Sequence, residues 1–304
     1  LSWFNNCQFE LTNIKANTMQ TLHSFIFILF ILFILGSFTT SAQYSNQRVV
    51  SSHYEFEEGS KDYVYGYKVV LRENSSPTAK ALDTLSIGSE IVIVKKTDET
   101  TSLNGLDWNW YKVKVGRKSG YVFGGLIALD RVKFENVTYL VTVAGIKQSG
   151  DDWDYVDYKV RARVLQANGE FYGHEEKLNT NSFYIETFDD RGLSGIDNML
   201  VINLFAEACG VDGGQVYLFN DGARLFRGIT LSHVSEAGLF WYEERIVFPN
   251  DENGYGNIRY EREQGEYMDE ELNWSKSTTH SLNLEWKDGR FSPNVDEFEF
   301  GEGE

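Results

Sequence analysis

The chain has 304 residues, a formal net charge of −17 at pH 7, 27 glycines, 3 prolines and 15% aromatic residues. A surface this acidic excludes nucleic acid and anionic membrane as partners, and it suits solubility and attraction of cations. Abundant glycine and aromatics, scarce proline and strand-like alternation point to an all-β protein, long enough for one small and one medium domain.

The first feature in chain order is an uninterrupted apolar run of 11 residues, FIFILFILFIL, from Phe25 to Leu35, followed by GSFTTSAQ. It is shorter than a membrane span and has the length of a signal-peptide core. Thr40 and Ala42 supply the small residues that a signal peptidase needs, so cleavage after Ala42 is expected, with a mature start at Gln43. Met19 reads as the start and residues 1–18 as translated upstream sequence, although no Lys or Arg lies between Met19 and the apolar core. An uncleaved anchor is the alternative. Cleavage removes Cys7 and leaves Cys209 alone, so the product is expected to lack an internal disulfide. The segment removed carries one Glu and one Lys, and the charge of −17 is unchanged. The protein is therefore expected to be exported, periplasmic or extracellular, with no membrane insertion after signal cleavage.

Residues 43–60, QYSNQRVVSSHYEFEEGS, are polar and aperiodic and read as a linker. From Tyr63 the pattern becomes strand-like, with an alternating EIVIV, a proline loop and the hairpin WNWYKVKVGRKSGYVF. Val69 and Leu71 share one face of a first strand, and Ile91 and Ile93 repeat the alternation. Gly116 to Lys118 makes the hairpin turn, and Gly124-Gly125 lets the chain bend.

The order Val-Leu-Arg-Glu-Asn, Pro77, Thr84-Leu85, Gly88, Trp110-Tyr111-Lys112-Val113, Gly120-Tyr121-Val122 and Leu126-Ile127 resembles bacterial SH3 (SH3b) domains, over residues 61–130. The resemblance implies a small SH3-like barrel that acts as a binding module, for cell-wall peptides or glycans where such domains accompany lytic enzymes. With Val122 inward, parity places Tyr121 and Phe123 outward, and Trp108 falls in the preceding loop. These three are the candidate ligand-binding residues, because exposed aromatics stack on sugars and peptide backbone. The bland alternative is that they pack over the barrel mouth.

Residues 133–300 resemble no family and read as a larger β-rich domain. Expected strands lie at 137–145, 155–166, 182–188, 199–206, 215–219, 238–248 and 281–286, separated by turn signals such as ANGE, DDRG, NDG and KDGR. No fixed-period repeat is present, so a β-sandwich is favoured over a propeller-like stack of hairpins.

Chemistry-bearing residues are sparse in pattern. Cys209 precedes Gly210 with Glu207 close by, and no helix start follows it to favour a thiolate. The carboxylate groups Asp151-Asp152, Asp189-Asp190, Glu243-Glu244 and Asp269-Glu270-Glu271 read as solvated loops rather than a glycosidase pair. His53, His174, His233 and His280 lack the close spacing of a zinc site. The loop PNDENGYGN sets Asp251, Asn253 and Asn257 as a candidate calcium loop, with an ordinary Asn-Gly turn as the alternative. No other cofactor is expected. Together these features predict a non-enzymatic, exported envelope binding or scaffold protein whose partner is cell-wall peptide, glycan or an envelope protein. The runner-up is a wall hydrolase or peptidase with its chemistry in the second domain, which would need a nucleophile–base pair.

Overall fold

Alternating apolar residues give strands along nearly all of the chain that the computed structural model describes, residues 47–51, 54–148, 156–206, 210–269 and 274–295. The expected signal segment, the cleavage site and Cys209 lie outside the described residues. The strands are β1 Lys61–Tyr63, β2 Val69–Arg72, β3 Ala81–Leu85, β4 Glu90–Leu103, β5 Leu106–Val115 and β6 Lys118–Phe123. A single 3-10 turn at Gly124–Leu126 follows, then β7 Asp130–Phe134, β8 Val137–Gln148, β9 Val156–Leu165 and β10 Phe171–Leu178. The rest are β11 Phe183–Phe188, β12 Asn198–Leu204, β13 Gly213–Asn220, β14 Leu225–Glu236, β15 Phe240–Val247, β16 Ile258–Asp269, β17 Trp274–Lys287 and β18 Arg290–Ser292. The protein is all-β, as its composition predicts.

Three sheets result among the described residues. The first has six strands in the order β1-β4-β5-β6-β2-β3, the second four in the order β10-β9-β8-β7, and the third eight, β11 to β18, in sequence order. The first sheet curls around Leu71, Ile91, Ile93, Val113 and Val122, and an isolated bridge pairs Val64, just after β1, with Ile127, just after the 3-10 turn. Tyr139, Val141, Tyr158 and Val160 of the second sheet pack on Phe183, Ile185, Leu200 and Ile202 of the third, in the face-to-face manner of a sandwich.

The eight-stranded sheet then curls over its other face. Every residue of β12 from Asn198 to Asn203 is buried, because alternate side chains point into different cores. Leu200 and Ile202 face the sandwich, whereas Met199 and Val201 join Phe219, Ile246, Phe248, Ile258, Leu284 and Phe291 inside the curl. The first of these clusters also contains Val69, Leu71, Ile91 and Val122, so the described residues from Arg48 onward form one compact unit, and those of the regions expected at 61–130 and 133–300 share a core.

The expected linker is also part of that unit. Val50 is fully buried and exchanges backbone hydrogen bonds with Phe183 of β11, at 2.8 and 2.9 Å. Phe56 is 3% exposed and meets the rings of Tyr54 and Tyr111 edge-on at 5.3 and 5.2 Å. Arg48 donates from Nη1 to buried Asp62 at 2.6 Å and to the Leu129 carbonyl at 2.9 Å, while Ser60 Oγ holds the other Asp62 oxygen at 2.5 Å. A few apolar anchors and backbone pairing order this segment, although its sequence is mostly polar.

Asp130 stands beside that cluster with its pKa pushed up to about 6, chiefly by burial. The Arg131 N–H, which its Oδ1 accepts at 2.7 Å, and the Arg48 charge only partly oppose the shift, and Asp62 adds to it. A carboxylate with a raised folded pKa costs stability once pH exceeds its unfolded value, and the cost is complete above the folded pKa. Asp130→Asn keeps the Oδ1 acceptor and removes the charge. It should stabilise the protein by about 1–2 kcal/mol at pH 7.5, with the gain fading to nothing near pH 4. Urea titrations at both pH values check this; a variant less stable at pH 7.5 would refute it.

Candidate functional site

The aromatic trio read from the sequence does not form an open ligand surface. Trp108 lies within β5 rather than a loop, and it is 7% exposed; Phe123 is 8% exposed. The cross-strand pair Trp110 and Phe123 sits 5.6 Å apart between ring centres, and Trp110 Nε1 donates to Thr101 Oγ1 at 3.0 Å. A Cβ at Gly125 would lie 2.9 Å from Phe123, 3.0 Å from Trp108 and 3.1 Å from Leu103, so only glycine lets the turn close over these rings. Tyr121 is half-buried, in register with Lys112 and Arg72. Parity places Phe123 outward of Val122, but both are buried in one cluster, so both faces of this end of the hairpin are covered.

The calcium loop is also filled from within. Asp251 Oδ1 accepts from Arg191, Nε at 2.8 Å and Nη2 at 2.6 Å, and its Oδ2 accepts the Phe248 N–H at 2.8 Å. A guanidinium thus occupies the place a cation would take. Asn253 and Asn257 are exposed, and Asn257 Nδ2 donates to the Tyr255 carbonyl at 3.2 Å. Among the described residues no three His, Cys, Asp or Glu side chains group as metal ligands.

Other sequence candidates resolve into structural roles. Asp189 and Asp190 accept the N–H groups of Arg191 and Gly192 at 3.0 and 2.7 Å and so fix their own turn. His174 is bonded to buried Glu176 at 2.9 Å. Asp151, Asp152, Glu270 and Glu271 lie outside the described residues.

A candidate site assembled by strand register lies on one face of the hairpins β14–β15 and β16–β17. Antiparallel register lines up Val234, Tyr242, Gln264 and Thr278 as one cross-strand row, and Phe240, Glu266 and Lys276 fall in the next. Side chains two apart on a strand share a face, so both rows point the same way. They floor a cleft of about 780 Å³, with Asp212 and Gly210 at its rim. The Gly210 N–H donates to the Ser235 carbonyl at 3.0 Å, and Asp212 Oδ2 accepts from Ser232 Oγ at 3.2 Å and Asn179 Nδ2 at 3.3 Å.

Next to this cleft, two residues along β15 from Tyr242 and so on the same face, Glu244 acts as a hub. Its Oε1 accepts from the Tyr242 hydroxyl at 2.5 Å and the Tyr260 hydroxyl at 2.6 Å, and its Oε2 accepts the Ser232 N–H at 2.8 Å. Burial first, then the Glu244 carboxylate, pushes both phenols above their usual range, with Arg262 opposing. The hydroxyls are thus held as donors, and the Tyr242 ring is locked in the cleft wall. On the opposite face Trp241 lies across Gly265, where a Cβ would come within 2.1 Å of the indole, and its Nε1 donates to Glu263 at 3.3 Å. That cross-strand cover of a glycine by an aromatic ring helps to pin the register of β15 and β16 beneath the cleft.

Chemically, the cleft offers two aromatic side chains, an amide, a hydroxyl, one cation and two carboxylates around a floor fixed by its own hydrogen bonds. Such a surface suits apolar ring faces combined with neutral hydrogen-bonding groups. Of its strands only β15 is among those expected in full. The alternation Tyr260, Arg262, Gln264 and the partner Thr278 carry the signal, but charged residues at the intervening positions mask it. No family model, no curated protein and no solved structure matches the chain.

Proposed function

We propose that this chain is an exported, non-catalytic binding protein of the cell envelope that holds a wall-derived glycan or peptide in the β14–β17 cleft. The observation that carries this reading is the cleft itself: an aromatic and amide row, preassembled by register and locked by the Glu244 hub. A pre-formed site of this composition limits the ordering cost of binding. The carboxylates nearest to catalytic suspicion, Glu244, Glu176, Asp251 and Asp62, each accept bonds from tyrosine, arginine, histidine, serine or backbone groups, which supports binding rather than bond cleavage. The resemblance of residues 61–130 to SH3b domains supports a binding protein as well, with that curled sheet serving as the support for the larger one.

Calorimetric titration of the protein with soluble muropeptides and chito-oligosaccharides tests the reading. Wild type should bind one of them without cleaving it. Tyr242→Ala and Gln264→Ala should each weaken binding, the tyrosine by about 2 kcal/mol or roughly thirtyfold. Thr279→Ala, on the opposite face, should leave it unchanged. Hydrolysis of either ligand, or equal affinity of all variants, would overturn the proposal.

A further inference from the structure

A second cavity, of about 860 Å³, lies where strand β10 and the C-terminal hairpin β17–β18 meet β14. It shares none of its lining residues with the first cleft. Two features make it distinctive. Strand β10 ends the four-stranded sheet and β18 ends the eight-stranded one, so two sheet edges border the same cavity. An edge strand presents backbone N–H and C=O groups that another extended chain can pair with.

The second feature is charge. Lys287 and Arg290 stand directly opposite each other across the β17–β18 hairpin, and both line the cavity. Like charges in that relation destabilise a hairpin unless an anion relieves them. Asp288 sits at the turn between them, and Glu176 within the wall is already engaged by Arg227 and His174. In a protein of net charge −17, a cavity where Lys287 and Arg290 converge beside Arg227 is a local reversal of sign. Leu204 and Val295, both half-buried, add apolar surface to the lining.

We infer that this cavity receives an extended acidic peptide, which adds as a strand to β10 or β18 and sets its carboxylates against Lys287 and Arg290. A peptide is favoured over an acidic glycan because only a peptide backbone matches the repeating donors and acceptors of a sheet edge. Alternate residues of such a strand face opposite ways, so acidic side chains can meet the cations while apolar ones turn to Leu204 and Val295.

The test is fluorescence anisotropy of the full chain with a labelled hexapeptide of alternating Glu and Val. Binding should weaken about tenfold or more in Lys287→Glu and Arg290→Glu, and also on raising salt, because exposed charge pairs are screened. Both side chains are exposed, so the variants should fold, which their thermal transitions will verify. A peptide with proline in place of valine keeps the charge but cannot form the ladder, and it should bind at least tenfold more weakly. Equal binding of the proline peptide, equal or tighter binding of an oligogalacturonate, no binding of the Glu-Val peptide, or indifference to the two charge reversals would each overturn the inference.

Discussion

Replacing Arg227 by alanine should destabilise the protein by about 2–4 kcal/mol at pH 7, because it strips a buried carboxylate of its arginine partner. The Glu176 side chain is 2% exposed and takes two bonds from Arg227, Nε to Oε2 at 3.0 Å and Nη2 to Oε1 at 2.5 Å. Burial alone would raise its pKa; hydrogen bonds from His174 and Arg227, with their charges, outweigh burial and hold it below the usual range. The Arg227 side chain is 55% exposed, and His174 remains in the variant, so the loss falls short of the full cost of breaking a buried pair. Glu176→Ala should be milder, since the freed guanidinium can turn into water. A carboxylate with a lowered folded pKa contributes stability above its unfolded pKa and loses it as pH falls through the folded value. The gap between wild type and Arg227→Ala should therefore narrow as the solution is acidified from the ordinary carboxylate range downward. Urea midpoints at a series of pH values from 7 downward measure it; a gap that stays constant or widens on acidification would contradict the electrostatic origin.

Phe56→Ala should cost about 3–5 kcal/mol, the usual loss for removing a fully packed aromatic ring. The ring is 3% exposed and wedged edge-on between Tyr54 and Tyr111, and Tyr111 in turn pairs across the strands with fully buried Val122. A true linker would give a change below about 0.5 kcal/mol. Thermal unfolding of the variant separates the two outcomes, and a near-zero shift would return residues 54–60 to the role of a tether.

What the sequence made legible were strands whose apolar residues alternate or run without a break. Strands β8, β9, β12 and β13 fall within a few residues of their expected bounds. Strands β10, β14 and β16 were not legible, because their exposed positions carry Arg, Glu, His and Lys, and because a bulge opposite Tyr217 and Leu218 shifts the period of β14. The N-terminal half of β17, rich in serine and threonine, was equally silent.

Site residues failed for a different reason. Spacing can show which face Phe123 and Asp251 occupy, but not what lies over that face. Trp108, Trp110 and the glycine turn cover the first, and Arg191, 60 positions earlier in the chain, neutralises the second. Such partners come from register and topology, which single-sequence alternation does not encode. The Glu244 hub illustrates the point: Tyr242 is two positions away, but Tyr260 and Ser232 reach it only through neighbouring strands.

The most direct test of the proposed binding cleft is a residue-resolved map of where a ligand touches. Amide correlation spectra of the protein, recorded with and without the muropeptide or chito-oligosaccharide that binds, would supply it. Shifts should concentrate at Ser232 to Glu236, Phe240 to Glu244, Gln264 to Glu266 and Lys276 to Thr278, with β5 and β6 unmoved. Shifts confined to β5 and β6, around Trp108, Tyr121 and Phe123, would contradict the account and place binding on the curled six-stranded sheet.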